Sequence, residues 1–304
     1  MSAPGNWQDF KARCRIPAIA APMFLVSGPD LVVETCNAGL CGTFPALNQR
    51  SSEGFEDWLK EIQDRLDDDA APYGVNLIVH KSNPRVQADL ELCVKHKVPL
   101  IITSLGAVSD LVDAVHSYGG LVFHDVIQQR HAEKAAVAGV DGIIAVAAGA
   151  GGHAGTMSPF ALVSEIREVF DGAIILSGSM SHGGHILAAE AMGADFGYLG
   201  SHFITATESM APQEQKDMMF ELKAKDITYT DKVSGVFANF MTPSLEAAQV
   251  EHKGEMSMND EARAWKTVWS AGHGVGSSRE MLPARAICEQ LIGEYEAAKA
   301  KICG

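Results

Sequence analysis

His153 sits in the stretch Ala147 to Pro159, AAGAGGHAGTMSP, surrounded by small residues. An imidazole with an unperturbed pKa near ~6.5 can act as a general base or donate a hydrogen bond to an anionic oxygen. A lone histidine often serves only packing. Here the glycines argue for a ligand-facing role, because a backbone without Cβ atoms lets a flat molecule approach closely. Two further turns, Ser177-Gly178-Ser179 and Gly200-Ser201, are rich in backbone N–H groups and free of bulk. They are either phosphate-binding turns or tight connections with no ligand, and neither is a P-loop, since GxxxxGK[ST] does not occur. Asn76 interrupts the apolar run YGVNLIV, where a polar amide must find partners: neighbouring backbone, or the heteroatoms of a ligand. Asp125 in LVFHDV carries the same ambiguity, as a helix N-cap or a ligand contact. His182 and His185 are spaced i, i+3 and invite a metal reading with His153 or His202, but no third or fourth ligand completes a set. The expectation is no metal, a helix cap at Ser181 and surface imidazoles.

These residues fall at regular places in a β/α alternation. Apolar runs rich in β-branched residues at 16–21, 40–44, 73–79, 99–103, 121–124, 141–146, 173–176 and 196–199 read as strands. Segments of helical period lie between them, and Ser158-Pro159 reads as an N-cap followed by proline at the first helical position. Eight such units in roughly 200 residues predict an α/β fold of the (β/α)8, or TIM, barrel type. His153, Ser177 to Ser179, Gly200 and Ser201 then lie at the C-terminal ends of strands, where barrel chemistry collects. The N-terminal residues read as a polar arm. After Glu208 the rhythm breaks into a charged helix over 211–225, a β-like stretch over 227–240, a polar loop over 249–259, and helices over 261–269 and 283–298 flanking the glycine knot AGHGVG. The expected organisation is a barrel domain over 1–207, a small insert or cap over 208–264, and C-terminal helices over 265–304 that pack back on the barrel.

The chain has 304 residues with a formal net charge of −14, and 47% of its residues are hydrophobic. An acidic balance disfavours a nucleic-acid or anionic-membrane surface and favours a small-molecule partner. Its six cysteines show no CxxC pairing or zinc-like spacing, which predicts free thiols in a reducing compartment. No secretory h-region or membrane-length apolar run is visible, so cytoplasmic residence is expected.

Taken together, IPAIAAPM (16–23), NAGLCGTFPAL (37–47), YGVNLIV, GAGGHAG (149–155), SGSMSHGGHILAAEAMGADFGYLGSHF (177–203) and WSAGHGVG (269–276) resemble the nitronate monooxygenase family over most of the chain. These are FMN-dependent barrels with relatives acting as enoyl-ACP and quinone reductases. The resemblance implies an FMN across the barrel mouth, its phosphate held by Gly178, Ser179, Gly200 and Ser201, with Ser177 in the same turn. The flavin ring would lie near Pro22, Met23, Asn76, and the backbone of Gly151 and Gly152. It implies that His153, in the GGHxG motif, acts on a nitronate that is oxidised with O2 to a carbonyl compound and nitrite; the alternative activity is NAD(P)H-dependent reduction of an enoyl-ACP or quinone. A homodimer is compatible. Two departures stand out. Many relatives carry lysine where Asp125 stands, and a carboxylate facing the flavin would disfavour its anionic reduced forms. The phosphate turn reads SGSMSHG rather than the commoner SGG type.

Overall fold

The computed structural model describes residues 5–80, 82–104, 109–233, 235–248 and 267–303. Eight parallel strands close into a barrel: β1 (Ala18–Ala20), β2 (Cys41–Pro45), β3 (Gly74–Ile78), β4 (Leu100–Ser104), β5 (Leu121–Val126), β6 (Gly142–Val146), β8 (Ala173–Ser177) and β9 (Phe196–Leu199). The ring is sealed where β1 pairs with β9. The chain thus has the TIM-barrel fold, with a strand at every position the apolar runs predict. Such runs are continuous because both strand faces are buried, one in the barrel and one under helices.

Strand parity divides that burial. Leu100, Ile102, Leu121, Phe123, Ile144 and Ile175 point inward into one cluster. Val75, Leu77, Ile101, Val122, Ile143 and Ile174 point outward beneath the helices. Phe10 closes the barrel floor, its ring edge-on to Phe123 and Phe196 at 6.0 and 5.9 Å. It belongs to a short helix, Trp7–Ala12, capped by the Asn6 side chain accepting from the Asp9 N–H. The polar arm expected at the N-terminus is therefore a plug. One fully buried aromatic and a side-chain cap are enough to order it.

Beyond the barrel, helix Gln213–Glu221 is followed by an antiparallel hairpin, β10 (Ile227–Thr230) and β11 (Ala238–Met241). A two-residue strand, β7 (Gly152–His153), adds to the hairpin's other edge, with Ala238 opposite His153 and Asn239 opposite Gly152. The loop expected over 249–259 lies outside the described residues, as does most of the helix expected over 261–269. Its described remainder is not helical, since Ser270 bridges to Phe240 as extended chain. The last helix, Ala284–Cys303, packs on helices Gly183–Ala191 and Pro29–Asn37. Two cap assignments change. His182, not Ser181, is the N-cap of helix Gly183–Ala191, its Nδ1 accepting from the Gly184 N–H at 2.9 Å. Ser158 stands at the N-cap position before Pro159 without a side-chain hydrogen bond.

Candidate active site

Parity places Asn76, Ser104 and Asp125 on the inner barrel face at the C-terminal ends of three adjacent strands. They form a directed chain: Asn76 Nδ2 donates to Ser104 Oγ (2.9 Å), and Ser104 Oγ donates to Asp125 Oδ2 (2.5 Å). Asn76 Nδ2 also lies 3.3 Å from the Ile102 carbonyl. Asp125 is thus no helix cap; the following helix starts after Gln128. Enclosure of the carboxyl pushes its pKa from 3.8 up to about 6, against the opposing hydrogen bond from Ser104. Above that pH the fold carries a partly enclosed charge that the unfolded chain solvates freely, so the native state loses stability as pH rises through the window between the two values. Asp125→Asn is therefore expected to raise the melting temperature relative to wild type at pH 8 and to lose that advantage near pH 4, in parallel melts. An advantage independent of pH would contradict an enclosed, titrating carboxyl. His124, the other ionisable side chain of β5, faces outward to Thr103 Oγ1 (2.8 Å), and burial lowers its pKa to about 4.

The glycine loop after β6 is pinned from two sides. The His273 N–H donates to the Gly149 carbonyl (2.9 Å), and the Gly152 N–H donates to Ser270 Oγ (2.6 Å). Asn239 Nδ2 donates to the Ala150 carbonyl (2.6 Å), while Ser270 Oγ donates to the Asn239 carbonyl (2.6 Å). Two glycine knots, 149–152 and 272, meet backbone to backbone: a Cβ on Gly272 would lie 2.5 Å from the Gly149 carbonyl oxygen, and one on Gly151 2.8 Å from the Gly272 nitrogen. Glycine is required at both contacts. His153 emerges from this knot exposed, on β7. Beside it, on the hairpin, Tyr229 and Phe237 stack at 5.0 Å, 37% and 50% exposed, and the Tyr229 hydroxyl donates to the Ala154 carbonyl (2.9 Å).

The two serine-glycine turns also lie at this mouth. Ser177 is the last residue of β8, buried and inward-facing; Gly178 (φ 130°) and Ser179 (φ 57°) then turn through the left-handed region. A Cβ on Gly149 would collide with Ser179 Oγ, which places this turn against the glycine loop. After β9, Gly200 begins the one-turn helix Ser201–Ile204 with no side-chain cap. Ser201 Oγ accepts from the Gly272 N–H (2.7 Å), and a hydroxyl that accepts can still donate once. Pro22 and Met23, in the turn after β1, are half-buried, and Met23 Sδ lies 3.8 Å from where a Cβ on Gly200 would be. Asn48 holds that turn, its amide donating to the Met23 and Ser27 carbonyls (3.1 and 2.7 Å). The structure thus links the β1, β6, β8 and β9 ends through direct contacts and places Asn76 and Asp125 at the same mouth. The histidines at 182 and 185 stand apart from His153: His182 caps a helix and lies 3.5 Å from Glu294, and His185 Nδ1 accepts from the Ser181 N–H. Among the described residues no group of three or more His, Cys, Asp or Glu side chains is placed to hold a metal ion. Three residues of the site, Ser104, Ser270 and Asn239, carry no mark in the sequence read alone. Ser104 is within reach of parity, two residues beyond inward-facing Ile102, whereas Ser270 and Asn239 act through contacts with segments far away in the chain.

The profile of the nitronate monooxygenase family matches residues 9–294. The chain belongs to that family. Its similar proteins carry differing names. An octahydro-indene-carboxyl-CoA dehydrogenase of Rhodococcus jostii is 26% identical over 240 residues, 79% of this chain; the chain spans 66% of that protein's length. A nitronate monooxygenase of Paraburkholderia phytofirmans is 26% identical over 280 residues, covering 76% of this chain and 75% of the relative. Among solved structures, nitroalkane oxidase from Streptomyces ansochromogenes superposes with a TM-score of 0.85 at 22% identity, covering 96% of this chain and 99% of that one. FabK from Thermotoga maritima gives 0.83 at 22% identity, covering 98% and 97%. These superpositions establish a shared fold. Family membership makes the chain an enzyme of the flavin oxidoreductase type and leaves its reaction to be argued from the site. No helix among the described residues is long and apolar enough to cross a membrane.

Proposed function

We propose that this chain is an FMN-dependent nitronate monooxygenase, oxidising alkyl nitronates with O2 to a carbonyl compound and nitrite. The observation that carries the reading is His153, exposed on β7 and fixed by hairpin pairing beside the barrel mouth, within a family profile that bears this activity's name. The residues present fit the cofactor. A side chain would meet only ordinary contacts at Gly200, 3.7 Å from Ala21 Cβ and 3.8 Å from Met23 Sδ, so the backbone there is open to close approach. The first N–H groups of helix Ser201–Ile204, left without a side-chain cap, and the turn at Gly178 and Ser179 suit a phosphate. Asn76, Ser104 and Asp125 set polar atoms in an otherwise apolar wall, which suits the heteroatom edge of a ring.

When bound, FMN supplies electron transfer from substrate to oxygen. The chain's own groups bind and orient. Gly178, Ser179, Gly200 and Ser201 hold the phosphate, with Ser177 packing beneath. Pro22, Met23, and the Gly151 and Gly152 backbone bound the ring's space. His153 removes the α-proton of a neutral nitroalkane, or donates a hydrogen bond to the nitro oxygens of the ready-made anion.

A second reading, an NAD(P)H-dependent reductase of enoyl-thioester or quinone type, is favoured by the exposed Tyr229–Phe237 stack. Such an apolar platform beside His153 suits a larger substrate than a short nitronate, and one relative is named for a bicyclic CoA thioester. Anaerobic mixing of FMN-loaded protein with propyl-2-nitronate or with NADH, followed by flavin absorbance, separates the two. Bleaching by the nitronate alone supports the first reading; bleaching by NADH with nitronates inert replaces it with the second.

A further inference from the structure

Among the described residues, no cationic side chain is placed against the carboxyl of Asp125. On its own strand it shares the inner face with Leu121 and Phe123, and on neighbouring β6 the inner residues are Ile144 and Val146. On β4 it meets Ser104, and the four residues that follow Ser104, LGAV, bring no ionisable group. Among the described residues, the ionisable group of the inner wall that couples to it is Tyr198 on β9, kept neutral by burial that raises its pKa well above the usual range, while His80, past the end of β3, is exposed. His124 faces outward, and His153, past the end of β6, is exposed on β7. Asn76 and Ser104 point their donor chain at Oδ2, fixing one carboxyl oxygen and leaving Oδ1 to carry a proton.

We propose that Asp125 is the charge-compensating residue of this mouth, taking up one proton from solvent as two electrons enter the bound flavin. The inference rests on the FMN reading above. Negative charge added beside an acid that no cation among the described residues neutralises disfavours its ionised form and draws a proton onto it. The balance is simple: the reductant gives two electrons to the flavin, the buffered solvent gives one H+ to Asp125 Oδ1 in addition to any the flavin itself takes up, and no bond to Asp125 other than O–H forms. A carboxyl already raised to about 6 is poised for this at neutral pH. Asp125 thereby does, by protonation, what a fixed cation does by charge. Asn76 and Ser104 are positioning residues that act through it.

The test is a redox titration of the FMN-loaded protein from about pH 5 to pH 8, for wild type, Asp125→Asn and Ser104→Ala. In wild type the midpoint potential should fall more steeply with pH above about 6, by one additional proton per electron pair. Asp125→Asn should lose that extra slope. Ser104→Ala should move the break to higher pH, because the lost hydrogen bond favoured the carboxylate, and this variant decides the question if Asp125→Asn does not fold. Superimposable slopes in wild type and Asp125→Asn, or an unmoved break in Ser104→Ala, with FMN bound in each, overturn this inference alone. Protein that binds no FMN overturns it together with the cofactor reading.

Discussion

His153→Ala should lower kcat/KM for a nitroalkane or nitronate by about 100-fold or more while leaving FMN bound, the size expected for removing a positioned acid–base group. The separation of the two effects follows from how the residue is held. Gly152 and His153 are fixed through backbone pairing with Asn239 and Ala238 and through the Gly152 N–H to Ser270 Oγ, none of which uses the imidazole. The backbone pairing that sets the position of this residue therefore survives truncation at Cβ. Steady-state kinetics beside the flavin absorbance of the purified variant checks both halves. A loss below about tenfold with FMN retained would take His153 out of the reaction. A larger loss with neutral nitroalkanes than with preformed nitronates would identify it as a base, and an equal loss as an orienting donor.

Gly272→Ala should damage more of the molecule than its one added carbon implies. The new Cβ would lie 2.5 Å from the Gly149 carbonyl oxygen and 2.8 Å from the Gly151 nitrogen, both main-chain atoms that no rotamer change relieves. One of the two knots must back away, at about 1–3 kcal/mol by the usual scale of overpacking. The movement breaks alignments that converge here: Gly272 N–H to Ser201 Oγ, His273 N–H to the Gly149 carbonyl, and Gly152 N–H to Ser270 Oγ. Since Ser201 belongs to the phosphate turn and Gly152 precedes His153, FMN affinity and turnover should fall together, FMN by about tenfold or more at 1.4 kcal/mol per decade. Fluorescence titration with FMN and a thermal melt measure this. A variant with native affinity and melting temperature would show that the knots are not in contact.

What can be read from the residues alone depends on how locally each feature is determined. The eight barrel strands are legible because a parallel strand buried on both faces needs only an unbroken apolar run, as in GIIAV or AIILS. Asn76 is legible for the opposite reason, as a polar residue within such a run. Its partner Ser104 looks like ordinary strand-end polarity until parity puts it on the inner face. Strand β7 is out of reach, since two residues, Gly152 and His153, have no period of their own and become extended only against Ala238 and Asn239. Propensity assigns the cap of helix Gly183–Ala191 to Ser181, yet the imidazole of His182 does the accepting. Asp125 offers two fates, and the closed barrel decides between them by turning every second residue of β5 inward.

The shared sheet of β10, β11 and β7 has a consequence for how this scaffold diversifies. The sixth strand stops at Val146 and runs into a glycine-rich loop, and the segment that makes Gly152 and His153 extended comes from outside the barrel, so the imidazole's bearings are lent by a splint. One edge and face of that splint grips the barrel through Asn239 on Ala150 and through the Tyr229 hydroxyl on Ala154, while Phe237 on the hairpin remains turned to solvent. Substitutions on the solvent side can therefore retune which molecules are admitted without disturbing where the histidine stands, whereas a slip of the hairpin by one residue would invert the histidine's facing and silence the site.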